Sequence, residues 1–144
     1  MIGKLDLNLR SQVKDSHKDL EVWKMAIKLT RDVYLITQDY PKTEIYGISS
    51  QMRRASVSIG ANIAEGAARQ STKDFIRFLY IAQGSASELD TLVEISYLTN
   101  LCEKSILNKL QKDIVTTLKM LRGLIQKLKL KSESQKISQL VTNH

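Results

Sequence analysis

The sequence predicts an all-α fold, an antiparallel up-down-up-down four-helix bundle. Three observations carry that expectation. Apolar residues recur at steps of three and four through four separate segments. One Pro and six Gly leave little punctuation for a sheet protein full of turns. The connections between the periodic segments are short, which sets neighbours in sequence side by side.

The first helix is expected over residues 18–38, where Leu20, Trp23, Ala26, Ile27, Thr30, Val33, Tyr34 and Thr37 keep helical spacing. Tyr40-Pro41 ends it, because proline drives the preceding residue out of the α region. A short loop through Lys42, Thr43 and Glu44 leads to a second helix over 46–67. Its apolar seam is Ile48, Met52, Ala55, Ile59, Asn62 or Ile63, and Gly66. Beside the seam runs a stripe of small side chains, Ser49, Ser56, Gly60 and Ala67, that permits close helix approach. Gly60 costs roughly 1 kcal/mol of helix propensity against Ala, a cost that a close packing contact would explain.

Ser71 opens the third helix. Its hydroxyl is placed to cap the N–H of Asp74, and the Asp74 carboxylate to reach back, as in a capping box. Phe75, Phe78, Leu79, Ala82, Ala86 and Leu89 begin a buried face that runs to a helix end near Thr99-Asn100. The fourth helix, over 105–129, is the most regular. Leu107, Leu110, Ile114, Thr117, Leu121, Leu124 and Leu128 alternate three and four, and Leu118 and Ile125 widen the stripe. The organisation expected is a flexible N-terminal arm over 1–17, one bundle over 18–130 and a polar, disordered tail over 131–144. There is no internal repeat and no second domain. The 144 residues suffice for one core.

The lone Cys102 cannot form an intrachain disulfide. No run approaches the roughly 18 apolar residues of a membrane span. The N-terminus, MIGKLDLNLRSQVKDSHKD, carries charges every few residues in place of an apolar signal core. A cytoplasmic protein with no membrane partner is expected.

The net charge of +7 is unevenly placed: residues 101–144 hold nine Lys/Arg against three acidic residues. In the expected topology, the turn between helices two and three, the start of helix three and the end of helix four share one pole. Arg69, Lys73 and Arg77 then approach Lys119, Arg122, Lys127, Lys129 and Lys131. At the other pole Glu88, Asp90 and Glu94 offset Lys104, Lys109 and Lys112. One strongly basic pole fits a polyanionic partner. The ordinary alternative is a solvated helix face.

Chemistry is harder to find. His17 and His144 sit near the ends of the chain, where solvated surface roles are expected rather than a positioned general base. No Glu is followed three residues later by His, so a di-iron bundle is excluded. No phosphate-binding glycine loop or Ser/His/Asp set is visible. The sequence thus assigns no catalytic residues, no metal and no cofactor. Arg10 and His17 match the spacing of the Arg-to-His motif in HEPN-type ribonucleases, but ahead of the first helix rather than in a late core helix.

Asn62 on the seam and Glu65 on its flank are expected to be partly buried, in a polar clamp between helices or subunits, with a ligand or catalytic role as the alternative. A buried carboxylate must be paired, and Arg53, Arg54 and Arg69 are the cations at hand. Adjacent Arg53 and Arg54 point about 100° apart. One is suited to pairing within the chain or with a neighbouring subunit, the other to solvent or a polyanion. Tyr34, Tyr46, Tyr80 and Tyr97 suit a rim or an oligomer contact, with base stacking as the functional alternative.

The run DLEVWKMAIKLTRDVY, followed by YPKTEIYGISSQMRRASVSIGANIAEGAARQSTKDFIRFLYIAQGSASEL, resembles the four-helix-bundle family of 23S rRNA intervening-sequence proteins. That fold family is in turn similar to the accessory variability protein of diversity-generating retroelements. The most specific parts are Trp23, Tyr46-Gly47-Ile48, Gln51-Met52-Arg53-Arg54-Ala55, Asn62-Ile63-Ala64-Glu65-Gly66, and Phe75, Arg77 and Phe78. Gly60 departs from the pattern, where the family often has proline. The resemblance implies a ring-forming homopentamer, a nucleic-acid-binding role and no enzymatic activity.

Together these readings describe a non-enzymatic homo-oligomer that binds RNA or DNA by phosphate contacts. The charge would come from Arg69, Lys73, Arg77, Lys119, Arg122, Lys127 and Lys129. Arg53, Arg54, Asn62 and Glu65 would make structural or oligomer contacts. The alternatives are a protein-interaction scaffold or accessory subunit with incidental polyanion affinity, and a ribonuclease.

Overall fold

Four helices, α1 (Glu21–Thr37), α2 (Ile48–Ala67), α3 (Thr72–Leu98) and α4 (Lys104–Thr142), pack around one apolar core. The structure, a computed structural model, describes residues 16–143. Short 3-10 turns, His17–Asp19 and Lys42–Glu44, lead into α1 and α2, and among the described residues there is no strand. The N-terminal arm lies outside the described residues except for Ser16 and His17. His17 is not a loosely solvated residue: it is half-buried, its ring edge-on to Trp23 at 5.2 Å.

The largest departure from expectation is α4. In place of a disordered tail after residue 130, the helix continues unbroken through Thr142. Polarity alone does not stop a helix. No Gly or Pro stands between Gly123 and Thr142, and Lys, Gln, Glu and Leu are good helix formers. At 1.5 Å per residue, the 39 residues of α4 span about 58 Å against about 40 Å for the 27 of α3. Leu130, Ile137, Leu140 and Val141 are exposed on its later turns.

Each helix buries one stripe. On α1 it is Val22, Ala26, Leu29 and Val33, so the helix is turned slightly from the expected face and leaves Ile27 and Tyr34 exposed. On α2 the seam passes through Met52, Ile59 and Ile63, which settles the Asn62-or-Ile63 choice in favour of Ile63. Gly60 is buried against Ile27, Ala26 and Trp23, and α2 runs through it without a break. Polar cross-links tie neighbouring helices. Thr30 Oγ1 donates to Ser56 O at 3.0 Å, and Ser96 Oγ lies 3.3 Å from Met52 Sδ. Gln111 Nε2 donates to Glu94 Oε2 at 2.8 Å, and Lys28 Nζ pairs with Asp113 Oδ2 at 3.1 Å.

The helix ends follow local chemistry. Ser71 Oγ accepts from the Asp74 N–H at 3.1 Å, the expected cap, but the Asp74 carboxylate lies near Arg77 (3.7 Å). Asn100 takes a left-handed conformation (φ 62) after α3. Leu101 N then donates to Ser96 O and Asn100 N to Tyr97 O, the paired bonds of a Schellman stop. At the α1–α2 corner Tyr40 is buried, facing Ser96 and Cys102, and burial pushes its phenol up to about 12. The folded state therefore holds this proton more tightly than the unfolded chain does. Stability from Tyr40 is intact below pH 10 and falls as pH rises from 10 towards 12. Alkaline unfolding of Tyr40→Phe should lack that component, as read by circular dichroism across this range.

Candidate nucleic-acid interface

The outer groove between α3 and α4 gathers cations around an exposed aromatic ring. Lys129 Nζ donates to Tyr80 Oη at 2.8 Å and sits 5.3 Å from the ring centre. Around this pair a depression of about 650 Å³ is bordered by Gln83, Arg122 and Gln126, with Leu118 and Ile125 as its floor. Lys129 also borders a second depression of about 320 Å³, completed by Lys73, Ile76, Ser132, Glu133 and Lys136. The two form one track. Lys73, Arg122, Lys129 and Lys136 face a single carboxylate, Glu133, among the bordering residues.

The side chains suit a phosphodiester strand. Arg122 offers a planar fork and the lysines offer point charges. Gln83 and Gln126 both donate and accept. Tyr80, 48% exposed, presents a ring on which an unstacked base can rest.

Only part of the expected cation set converges there. Lys73, Arg122 and Lys129 border the track. Arg69 and Arg77 instead flank the Phe78 ring, at 4.9 and 4.6 Å from its centre. Each also has an acidic neighbour on its own side of the chain: Arg69 with Glu65 at 2.9 Å, Arg77 with Asp74 at 3.7 Å. These pairs are largely exposed and weak, so both charges remain open to a partner. Lys119 and Lys127 are exposed but border neither depression. Lys127 falls in helical register with Met120, Gly123 and Leu124, which border α1, so it points away from α3.

Tyr80, Gln83, Gln126 and Lys136 complete the track and lie outside the cation set expected from the sequence. Lys136 was hidden by the expectation of a disordered tail. Its spacing of seven from Lys129 is the signal that a continuous helix would have carried it to the same face.

The second set of residues also divides. Asn62 Nδ2 donates to Ser58 O (2.8 Å) and Ser58 Oγ (3.0 Å), and Ser58 Oγ meets Ser85 Oγ at 2.8 Å. This polar chain joins α2 to α3 without Glu65. Glu65 is exposed, not partly buried, because the seam runs through Ile63; its partner is Arg69 one turn on. Arg53 lies 4.6 Å over the Tyr34 ring and donates Nε to Thr37 Oγ1 at 2.9 Å, whereas Arg54 is exposed.

Among the described residues, no three His, Cys, Asp or Glu side chains group to hold a metal. No described helix is long and apolar enough to cross a membrane.

A family model described as 23S rRNA-intervening sequence protein matches residues 18–123. The chain belongs to that family. The 23S rRNA-intervening sequence match takes in Lys73, Tyr80 and Arg122, while Lys129 and Lys136 lie beyond it. The chain is also similar to a crystal structure from Bacteroides thetaiotaomicron, a protein with unknown function from the S23 ribosomal protein family. The two share 28% identity with a TM-score of 0.67, over 73% of this chain and 95% of that one. No curated protein matches the chain.

Proposed function

We propose that this chain is a non-enzymatic, homo-oligomeric bundle that binds nucleic acid along the α3/α4 track, mainly through phosphate contacts and with little sequence preference. The observation that carries this reading is the position of Lys129. It borders both depressions and so links Arg122 and Tyr80 to Lys73 and Lys136. The family's name refers to an rRNA setting, which makes RNA the first ligand to test.

The reading takes the bundle as antiparallel, up-down-up-down. The order of cross-helix pairs supports it: Met52 with Ser96 and Ser58 with Ser85, then Glu94 with Gln111 and Tyr80 with Lys129. In each case position rises on one helix as it falls on the other. A ring-forming homopentamer in the cytoplasm follows the family resemblance. In such a ring each copy would add a charge of +7.

Filter binding of RNA between 50 and 200 mM salt tests the proposal. Affinity should fall steeply with salt, with a log–log slope near −0.7 for each neutralised phosphate of a single strand. No binding at the low-salt end, or binding indifferent to salt, would remove the proposal.

The second reading, a protein-interaction scaffold, is favoured by exposed Leu130, Ile137, Leu140 and Val141 on α4. A stoichiometric partner retained after nuclease treatment, and lost on Ile137→Glu, would support it over the first.

A further inference from the structure

Arg53 and Arg54 of the Gln51-Met52-Arg53-Arg54 motif play no part in the α3/α4 track, yet they border a cleft of their own. This cleft, about 500 Å³, lies where the end of α1 and the Pro41–Gly47 connection meet the start of α2. Lys42, Arg53 and Arg54 border it, and no acidic residue does. None of the three cations lies within ion-pair distance of a carboxylate among the described residues. Three cations around one concavity raise the local positive potential and favour an anion there.

Arg53 is held ready for such an anion. Thr37 Oγ1 donates to Val33 O at 2.7 Å and accepts from Arg53 Nε at 2.9 Å, while the Tyr34 ring supports the guanidinium from one side at 4.6 Å. Nη2 also reaches Tyr34 O at 3.5 Å, which leaves Nη1 as the guanidinium nitrogen without a partner among the described residues. Ser49, 6% exposed, also borders the cleft, and its buried Oγ has no hydrogen-bond partner. The nearby carboxylate, Glu44, is already committed: its Oε2 accepts from the Ile48 N–H at 3.3 Å. The volume falls in the range of small-molecule sites, and Tyr34, Pro41 and Ile45 give it an apolar wall.

We infer that this cleft binds a phosphomonoester, with Arg53, Arg54 and Lys42 around the phosphoryl oxygens and the nucleoside against Tyr34, Pro41 and Ile45. The shared chemistry is a terminal phosphate, carried either by a free nucleotide or by the 5′ end of an RNA strand. This site stands apart from the α3/α4 track and does not depend on it.

Isothermal titration of the full chain separates the possibilities. The probes are AMP, adenosine, and short RNA with a 5′-phosphate or a 5′-hydroxyl. The RNA arms use an Arg122→Gln/Lys129→Gln background, so that binding at the track does not mask the end effect. The phosphorylated member of at least one pair should bind on the order of tenfold more tightly than its unphosphorylated counterpart. Arg54→Gln with Lys42→Gln, both at exposed positions, should abolish that preference, and Ser49→Ala should weaken it. AMP binding identifies the free nucleotide as the source; a preference seen only with RNA identifies the strand end. Equal affinity for phosphorylated and unphosphorylated members in both pairs overturns the inference. So does a preference unchanged in the Arg54/Lys42 variant.

Discussion

Gly66→Ala is expected to destabilise the protein, while Gly60→Ala, one seam away on the same helix, is expected to be neutral or stabilising. Both changes gain about 1 kcal/mol of intrinsic helix propensity. The difference lies in what the new methyl group meets. At Gly60 the nearest atom is Ile27 Cδ1 at 3.3 Å, the free end of a side chain that is itself 44% exposed and able to give way. At Gly66 a Cβ would stand 2.7 Å from Phe78 Cβ, 2.9 Å from Phe75 Cδ2 and 3.2 Å from Phe75 O. Phe78 Cβ is tied to the backbone of α3 and cannot swing aside, so the two helices must separate. Overpacking of that kind costs about 1–3 kcal/mol, enough to exceed the propensity gain. Gly66→Val should cost more still. Urea midpoints of the two Ala variants check this; equal stabilities would mean that the α2–α3 junction is looser than described.

The second expectation concerns binding. Arg122→Glu with Lys129→Glu should lower RNA affinity at low salt on the order of a hundredfold, since two phosphate contacts are lost and two repulsions added. Lys127→Glu with Lys104→Glu makes the same change in net charge away from the track, and should have a far smaller effect. The comparison matters because a basic protein attracts RNA at long range whatever its local geometry. If the two double variants lose affinity equally, net charge governs binding and the α3/α4 track is not the site. Loss should also be uniform across RNA sequences, as phosphate contacts require.

Much of the fold was legible in the residues, for identifiable reasons. Pro41, Ser71 and Asn100 each act through local backbone chemistry, so the ends of α1 and α3 and the start of α3 could be read directly. Rotation of a helix about its axis was less accessible. The α1 stripe and the Asn62-or-Ile63 choice depend on which neighbour presses from which side, and a one-residue error there moved Glu65 from exposed to partly buried. The same uncertainty separates Lys127 from Lys129: two positions apart, they face opposite neighbours. Charge counting could not see that. The α4 extension is hidden from hydrophobic periodicity because its later turns are polar and bury little, although no breaker interrupts residues 124–142. Lys136 was lost with it. The adjacent Arg53 and Arg54 stand out in the sequence, but the cleft beside them is made by the Pro41–Gly47 connection, whose path no periodicity describes.

Of the four sides of the bundle, the one joining α1 to α4 is the slightest. It closes the longest stretch of chain, and its Lys28–Asp113 link leaves the lysine 46% exposed. Amide exchange should accordingly be fastest to spread from this margin, since the first and last helices can part while α2 and α3 stay clasped. Such breathing would leave the α3/α4 track intact and make α1 the detachable wall of the molecule.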